Sequence, residues 1–283
     1  PEHTDHLFVV SRRHQYLGRV SVASLLTHDA STPINELFDD EQPAIQVDTP
    51  AHDVASQFSD HDWISAPVVD NNNILPGRIT IDDVVDIIRD HAAHQALSAA
   101  GLDEDEDMFS PVARAARRRA LWLGINLLTA FLASWVIGRF EGTIERLVAL
   151  AVLMPIVASM GGIAGSQTLT LVIRGLALGQ VQKGNVRVLL NREVGVAALN
   201  GLLWAAVVAA LAVVWFGDWG IGGVIAAAIL LNLLCAAVAG LAIPLILDRL
   251  GIDPALAGSV ILTTVTDVVG FFAFLGLATV LLL

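Results

Sequence analysis

The sequence predicts an α-helical polytopic membrane protein of five transmembrane helices behind an N-terminal α/β domain, and three observations predict it. More than half of the 283 residues are hydrophobic while the net charge is -12, a pairing foreign to a single soluble domain. The charges are segregated: residues 1–110 hold 21 of the 28 acidic residues and five of the 16 basic ones, and residues 111–283 hold the other seven and eleven. Five stretches of the second part are each long and apolar enough for a helix to cross a hydrocarbon core of about 30 Å. The boundary between soluble and membrane-embedded parts falls near Ser110 and Pro111.

The five predicted spans are 120–137, 147–177, 188–216, 221–247 and 255–283. Arg114, Arg117, Arg118 and Arg119 precede the first, Arg174, Lys183, Arg187 and Arg192 lie around the second connection, and Arg249 lies at the fourth. Only Arg139 and Arg146 flank the other side. Because basic loops stay on the cytoplasmic side, the expected orientation puts the N-terminus in the cytoplasm and Leu283 outside. Trp215 and Trp219 suit an aromatic belt at the outer end of spans three and four. The expected location is the inner (plasma) membrane of a bacterium or archaeon.

The second span is interrupted by small and polar residues, Gly161, Gly162, Gly165, Ser166, Gln167, Thr168 and Thr170. Such a run is ill-suited to lipid. It serves either close helix packing or a hydrated path with accessible carbonyls, and the neighbouring amide and hydroxyls favour the path. The fifth span carries one carboxylate, Asp267, in an otherwise uncharged helix. An intramembrane acid normally faces a cavity, a partner or an ion. Thr263, Thr266 and Gly270 share much of its face by helical spacing. An ion pair with Arg174 is the alternative, and Arg174 sits where it can snorkel to the interface instead.

Magnesium is commonly held by one or two carboxylates with several waters retained, so Asp267 beside hydroxyls and carbonyls suits a divalent-cation path, with two copies of the carboxylate in a homodimer. Soft metals prefer Cys, Met or His. All eight histidines lie in residues 1–110, and the lone Cys235 sits in an apolar run. That distribution argues against an intramembrane metalloenzyme, and neither enzymatic activity nor nucleic-acid binding is expected.

The soluble part repeats at an offset of 59 residues. Leu7-Phe8-Val9-Val10 and Gly18-Arg19-Val20-Ser21 recur as Ala66-Pro67-Val68-Val69 and Gly77-Arg78-Ile79-Thr80. Each copy reads as strand, turn, strand and helix, and the second helix is predicted over 82–99. The acidic run 103–107 reads as a solvated linker. No signal peptide is visible at Pro1, the first repeat is truncated at its start, and more protein is expected to precede it.

The repeats resemble a cystathionine-beta-synthase (CBS) pair, a module that commonly binds adenine nucleotides. Its Gly-x-x-Thr-x-x-Asp signature appears at Gly77, Thr80 and Asp83, whereas the first copy has Ser24 at the Asp position. The resemblance implies Thr80, Asp83 and Pro67 as nucleotide contacts, with ATP the candidate, or else a dimerisation module without ligand. The segments PIVASMGGIAGSQTLTLVIRGLALG (155–179) and DPALAGSVILTTVTDVVGFFAFLGLA (253–278) extend the resemblance to the MgtE family of magnesium channels, over essentially the whole chain. It implies a homodimer in the lipid bilayer with a central pore, Mg2+ bound near Asp267, and Gly161, Gly162, Gly165 and Thr263 as pore lining. It also implies a connecting plug helix and closure when cytosolic Mg2+ fills acidic sites, for which Asp48, Asp53, Asp86 and Asp90 are the candidates. The implied domains are 1–90 for the CBS pair, 91–119 for the plug helix and acidic linker, and 120–283 for the pore, with an acidic helical domain of the family expected before Pro1. Two departures stand out. The family's Gly-Gly-Asn-x-Gly-Asn-Gln reads Gly161-Gly162-Ile163-Ala164-Gly165-Ser166-Gln167 here, and Pro50, His52, His91, His94 and Gln95 stand near the candidate sensor carboxylates. The expected function is Mg2+ import through a channel gated by cytosolic Mg2+ and ATP. Two alternatives remain open: an ion-coupled carrier for another divalent cation such as Co2+, and a non-conducting, membrane-anchored nucleotide sensor.

Overall fold

A computed structural model describes residues 6–37, 39, 42–99, 101–102, 109–182 and 184–283, with only the backbone at 91, 95 and 99. The acidic run 103–107, Lys183, and the side chains of His91 and Gln95 therefore lie outside the described residues. The chain divides into two compact units, 1–95 and 96–283.

In the first unit, β1 (His6–Val10) and β2 (Tyr16–Ser21) form an antiparallel hairpin followed by α1 (Val22–Thr27). A three-stranded sheet follows, in the order β3 (Ile45–Gln46), β4 (Ser65–Val69), β5 (Gly77–Thr80). β3 runs parallel to β4, so the chain must cross over between them, and α2 (Ala51–His61) is that crossover. Val54 and Phe58, four residues apart, are its buried residues. They pack with Ile45, Trp63, Ala66 and Val84 as the core of the sheet. Asp62 ends α2 in the left-handed region at φ 52°, donating its N–H to the Phe58 carbonyl.

The 59-residue repeat is visible in the turns. Ser11 Oγ accepts from the N–H groups of Arg13 and Gln15, and Asp70 Oδ1 accepts from those of Asn72 and Ile74. His14 and Asn73 occupy equivalent left-handed positions at φ 60° and 61°. The two turns then bond to each other: Tyr16 N–H donates to the Asn73 carbonyl at 2.9 Å, and Leu75 N–H to that of His14 at 3.0 Å. Beyond the predicted pattern, the structure adds β3 and α2, which belong to the crossover rather than to the strand-turn-strand-helix repeat.

Among the described residues the second unit holds five helices long and apolar enough to cross a membrane. They are α4 (Val112–Gly138), α6 (Ala149–Ala177), α7 (Val186–Phe216), α8 (Trp219–Arg249) and α9 (Pro254–Leu282), with the short α5 (Glu141–Arg146) between the first two. They match the five predicted segments: α4 starts eight residues earlier than predicted, and the other four agree to within two residues at each end. The Arg114 to Arg119 cluster lies within the first turns of α4. At 27 to 31 residues they reach about 40–46 Å at 1.5 Å per residue, longer than the hydrocarbon core.

α8 is the central helix and packs against α6, α7 and α9, while α4 rests on α9. Helices in lipid gain little from hydrophobicity and pack through small residues. A Cβ built on Gly240 of α8 would stand 2.8 Å from the Gly165 carbonyl oxygen of α6, so glycine alone permits this approach. Leu150, Leu153, Val157, Ile225, Ile229, Leu233, Phe274 and Leu275 fill the centre of the bundle. On α5, buried Thr143 places its hydroxyl 2.8 Å from that of Thr279 on α9.

Candidate functional site

The polar stretch of α6 is two-sided, because successive helical residues differ in direction by about 100°. Gly161, Gly165, Thr168, Leu169 and Val172 are buried against the bundle. Gly162, Ile163, Ser166, Gln167, Thr170 and Leu171 turn the other way, and with Thr263 of α9 they line an open groove of about 720 Å³. Of the four pore-lining candidates, Gly162 and Thr263 therefore share the groove. Gly161 meets Asn232 of α8, and Gly165 meets Leu262 of α9, where an added Cβ would come within 2.9 Å of Cδ1.

Asp267 lies one turn beyond Thr263 on α9 and is partly buried. Neither Asp267 nor Arg174 takes part in an ion pair among the described residues. The hydroxyls of α9 are turned inward: Thr263 donates to the Ser259 carbonyl at 2.8 Å, and fully buried Thr266 to that of Thr263 at 3.1 Å. Their other lone pairs remain as acceptors. Ile163, 58% exposed in the single chain, presents a hydrocarbon branch to the groove where the family pattern has an amide.

Two further polar residues were not singled out from the sequence. Glu193 of α7 is 5% exposed; its Oε2 accepts from the Thr168 hydroxyl at 3.0 Å and its Oε1 lies 3.4 Å from Arg192. It faces a cavity of about 410 Å³ between α6 and α7, which shares Ile163, Gln167 and Leu171 with the groove. Asn232 of α8 is wholly enclosed, with Nδ2 donating to the Val157 carbonyl at 2.9 Å. Glu193 lies two turns inside α7, and Asn232 interrupts an apolar span. Both were open to the rule that singled out Asp267.

In the first unit, Thr80 ends β5 and caps α3 (Ile81–Ala99). Its N–H and hydroxyl both donate to Asp83 Oδ2, at 3.3 and 3.1 Å, which is one half of a capping box. At α1 the Ser21 hydroxyl likewise donates to Ser24 Oγ at 2.8 Å, but there the Ser24 N–H donates back to Ser21 Oγ at 2.9 Å, the other half of such a box. The Thr-x-x-Asp spacing thus has a helix-capping use of its own. Pro67 is buried in β4, paired with Arg78 of β5. Asp86 and Asp90 lie four residues apart on α3, Asp48 follows β3, and Asp53 sits 3.0 Å from its neighbour His52, all of them exposed. Among the described residues no three His, Cys, Asp or Glu side chains gather as a metal-holding group.

One chain thus combines a CBS-like α/β unit with a five-helix unit that holds a hydroxyl-lined groove and, among the described residues, an intramembrane carboxylate outside any ion pair. Residues 154–277 match the MgtE family of divalent cation transporters, and residues 34–90 match the CBS domain. The membrane unit thus carries an MgtE family domain. It is 30% identical over 280 residues to the magnesium transporter MgtE of Bacillus subtilis, covering 98% of this chain and 62% of that protein. The identity to magnesium transporter MgtE of Thermus thermophilus is also 30%, over 98% of this chain and 62% of that one. The chain thus spans about 60% of the length of the curated relatives it matches. A crystal structure of the soluble part of a magnesium transporter is similar over 32% of this chain and 36% of its own, with 30% identity and a TM-score of 0.31. The cytosolic domain of a Mg2+ channel MgtE in complex with ATP is similar over 30% of this chain and 35% of its own, with 30% identity and a TM-score of 0.29.

Proposed function

We propose that this chain forms a homodimeric pathway for Mg2+ across the plasma membrane, with Asp267 as the cation-binding carboxylate and the groove of Gly162, Ser166, Gln167, Thr170 and Thr263 as its lining. The observation that carries the reading is Asp267 itself, an intramembrane carboxylate without an ion-pair partner among the described residues, one turn from the hydroxyl-lined groove. Such a group is costly in lipid and faces water, a partner or an ion. The exposed Ser166, Gln167 and Thr170 are equally out of place against acyl chains, and a second copy of the chain would enclose them. A water-filled lining of hydroxyls and carbonyls fits a cation that gives up its waters reluctantly.

Asp267→Ala should abolish Mg2+ uptake into proteoliposomes while the protein still reconstitutes, and unchanged uptake would remove Asp267 from the pathway. The apolar Ile163 in the groove favours a second reading, a carrier for another divalent cation such as Co2+. Uptake that requires an imposed proton gradient, with Co2+ outcompeting Mg2+, would select it.

In this reading the basic segments place the N-terminus in the cytoplasm, where Asp48, Asp53, Asp86 and Asp90 sense Mg2+ and the second CBS copy takes ATP at Pro67, Thr80 and Asp83. The four carboxylates do not meet in one chain, so the sensor would form where acidic faces approach one another. Cytosolic Mg2+ should then lower the open fraction, and neutralising Asp86 and Asp90 together should weaken that inhibition.

A further inference from the structure

Asn232 occupies the meeting point of three helices. A Cβ on Gly161 of α6 would stand 2.7 Å from its Cγ, and one on Gly270 of α9 would stand 2.6 Å from its Nδ2 and 3.0 Å from its Cγ. Nδ2 donates to the Val157 carbonyl, one turn before Gly161. The amide of α8 is therefore clasped between two glycines on the facing helices and bonded to the backbone of one of them. Its other atom, Oδ1, is buried and has no hydrogen-bond partner among the described residues.

An orphaned buried acceptor costs stability, and an apolar side chain of the same shape would avoid that cost. Leucine has similar size, so packing alone does not account for an amide here. What the amide adds is a fixed distance. It holds α6 at Val157 and Gly161 and abuts α9 at Gly270. Gly162 and Ile163, which follow Gly161 directly, face the groove, and Asp267 lies three residues before Gly270.

We propose that Asn232 is a positioning residue that sets the separation of α6 and α9 behind the groove, and through it the affinity and preference with which the pathway takes a divalent cation. This rests on the transport reading given above. Asn232 touches no cation; it acts through the backbones of the two lining helices.

The test compares Asn232→Leu, Gly270→Ala and Gly223→Ala with the unaltered chain in proteoliposomes, following Mg2+ uptake against concentration and its competition by Co2+. Gly223 lies on α8 with open space around an added Cβ. A residue that merely supports the fold lowers the number of working pathways, and so the maximal rate alone. A positioning residue moves the half-saturating concentration, by about tenfold where outer contacts to a metal site are removed. Asn232→Leu should shift half-saturation on that scale and change the Mg2+ to Co2+ preference, with thermal stability equal or higher. Gly270→Ala should shift half-saturation too, by displacing the amide, and Gly223→Ala should not. If the first two variants keep the original half-saturation and preference, or if neither folds, Asn232 serves the fold only and the inference is wrong. Should the unaltered chain carry no Mg2+ at all, the transport reading itself fails, whatever the variants do.

Discussion

The Thr168 hydroxyl donates to the buried Glu193 carboxylate at 3.0 Å, and this bond joins two helices that otherwise touch little, α6 and α7. It lies beside the cavity that separates them. Thr168 follows Gln167 directly, so the bond also anchors the polar stretch of α6 on the side opposite Thr170.

Removing the acceptor should be felt in stability. Glu193→Leu leaves the enclosed Thr168 hydroxyl without its acceptor and Arg192 without its nearby charge, whereas Glu193→Gln retains an oxygen for Thr168. Arg192 is largely solvent-facing and contributes little through its charge. The main loss is the buried hydrogen bond, so Glu193→Leu should cost about 1–3 kcal/mol and Glu193→Gln clearly less. Thermal unfolding in detergent distinguishes them, and equal transitions for the two variants would show that the bond does not hold α6 to α7.

Helix proximity at Gly240 makes an independent prediction. Alanine there would bring its Cβ within 2.8 Å of the Gly165 carbonyl oxygen and 2.9 Å of Thr168 Cβ. Neither backbone nor a β-branched carbon can swing aside, so α6 and α8 must separate, at a cost of about 1–3 kcal/mol. Gly223→Ala on the same helix meets nothing within 4 Å and should be neutral or stabilising by up to about 1 kcal/mol. Paired unfolding measurements check both signs at once.

Span number and the exceptional carboxylate were legible because they are one-dimensional properties: the length of an apolar run, and a charge where lipid is expected. Legibility stopped at the faces of α6. Gly161, Gly162 and Gly165 look alike as small residues in one run, yet their helical angles put the first and third on the packed side of α6 and Gly162 on the groove. Asn232 and Glu193 escaped notice for different reasons. Glu193 adjoins Arg192 in what reads as the charged end of a loop, and the significance of Asn232 depends on glycines 71 and 38 residues away in sequence. In the first unit the repeat was visible through its turn residues, but the two-residue β3 has no alternation to detect, and α2 shows only the Val54 and Phe58 pair.

Ile163 offers a gain rather than a loss. It is exposed on the groove beside Gly162 and Gln167, and Asn at this position restores the amide of the family pattern. An exposed substitution of this kind should change stability by no more than about 0.5 kcal/mol. The added carbonyl oxygen can bind the water shell of a cation. Ile163→Asn should therefore lower the Mg2+ concentration for half-maximal uptake and raise Mg2+ relative to Co2+ in competition. Unchanged competition would place Ile163 outside the conducting route.

The first unit has a titration that can be read without ambiguity, because Tyr16 is the only tyrosine in the chain. Burial pushes its phenol above the ordinary value of 10.0; Arg19 opposes this and Asp39 reinforces it. Arg19 Nε and Asp39 Oδ2 are themselves 3.3 Å apart, so the two nearby charges offset one another and burial decides the direction. A group whose folded pKa is raised contributes stability that is complete below the unfolded value and is lost as pH rises through the folded one. Tyr16 should thus favour the folded state up to about pH 10, with that contribution falling away at higher pH. Phenolate absorbance of the intact protein should titrate above 10 and return to the ordinary value in denaturant. Tyr16→Phe should remove both the signal and this part of the alkaline loss of stability. A native midpoint at or below 10 would mean that the two charges, not burial, set the ionisation of Tyr16.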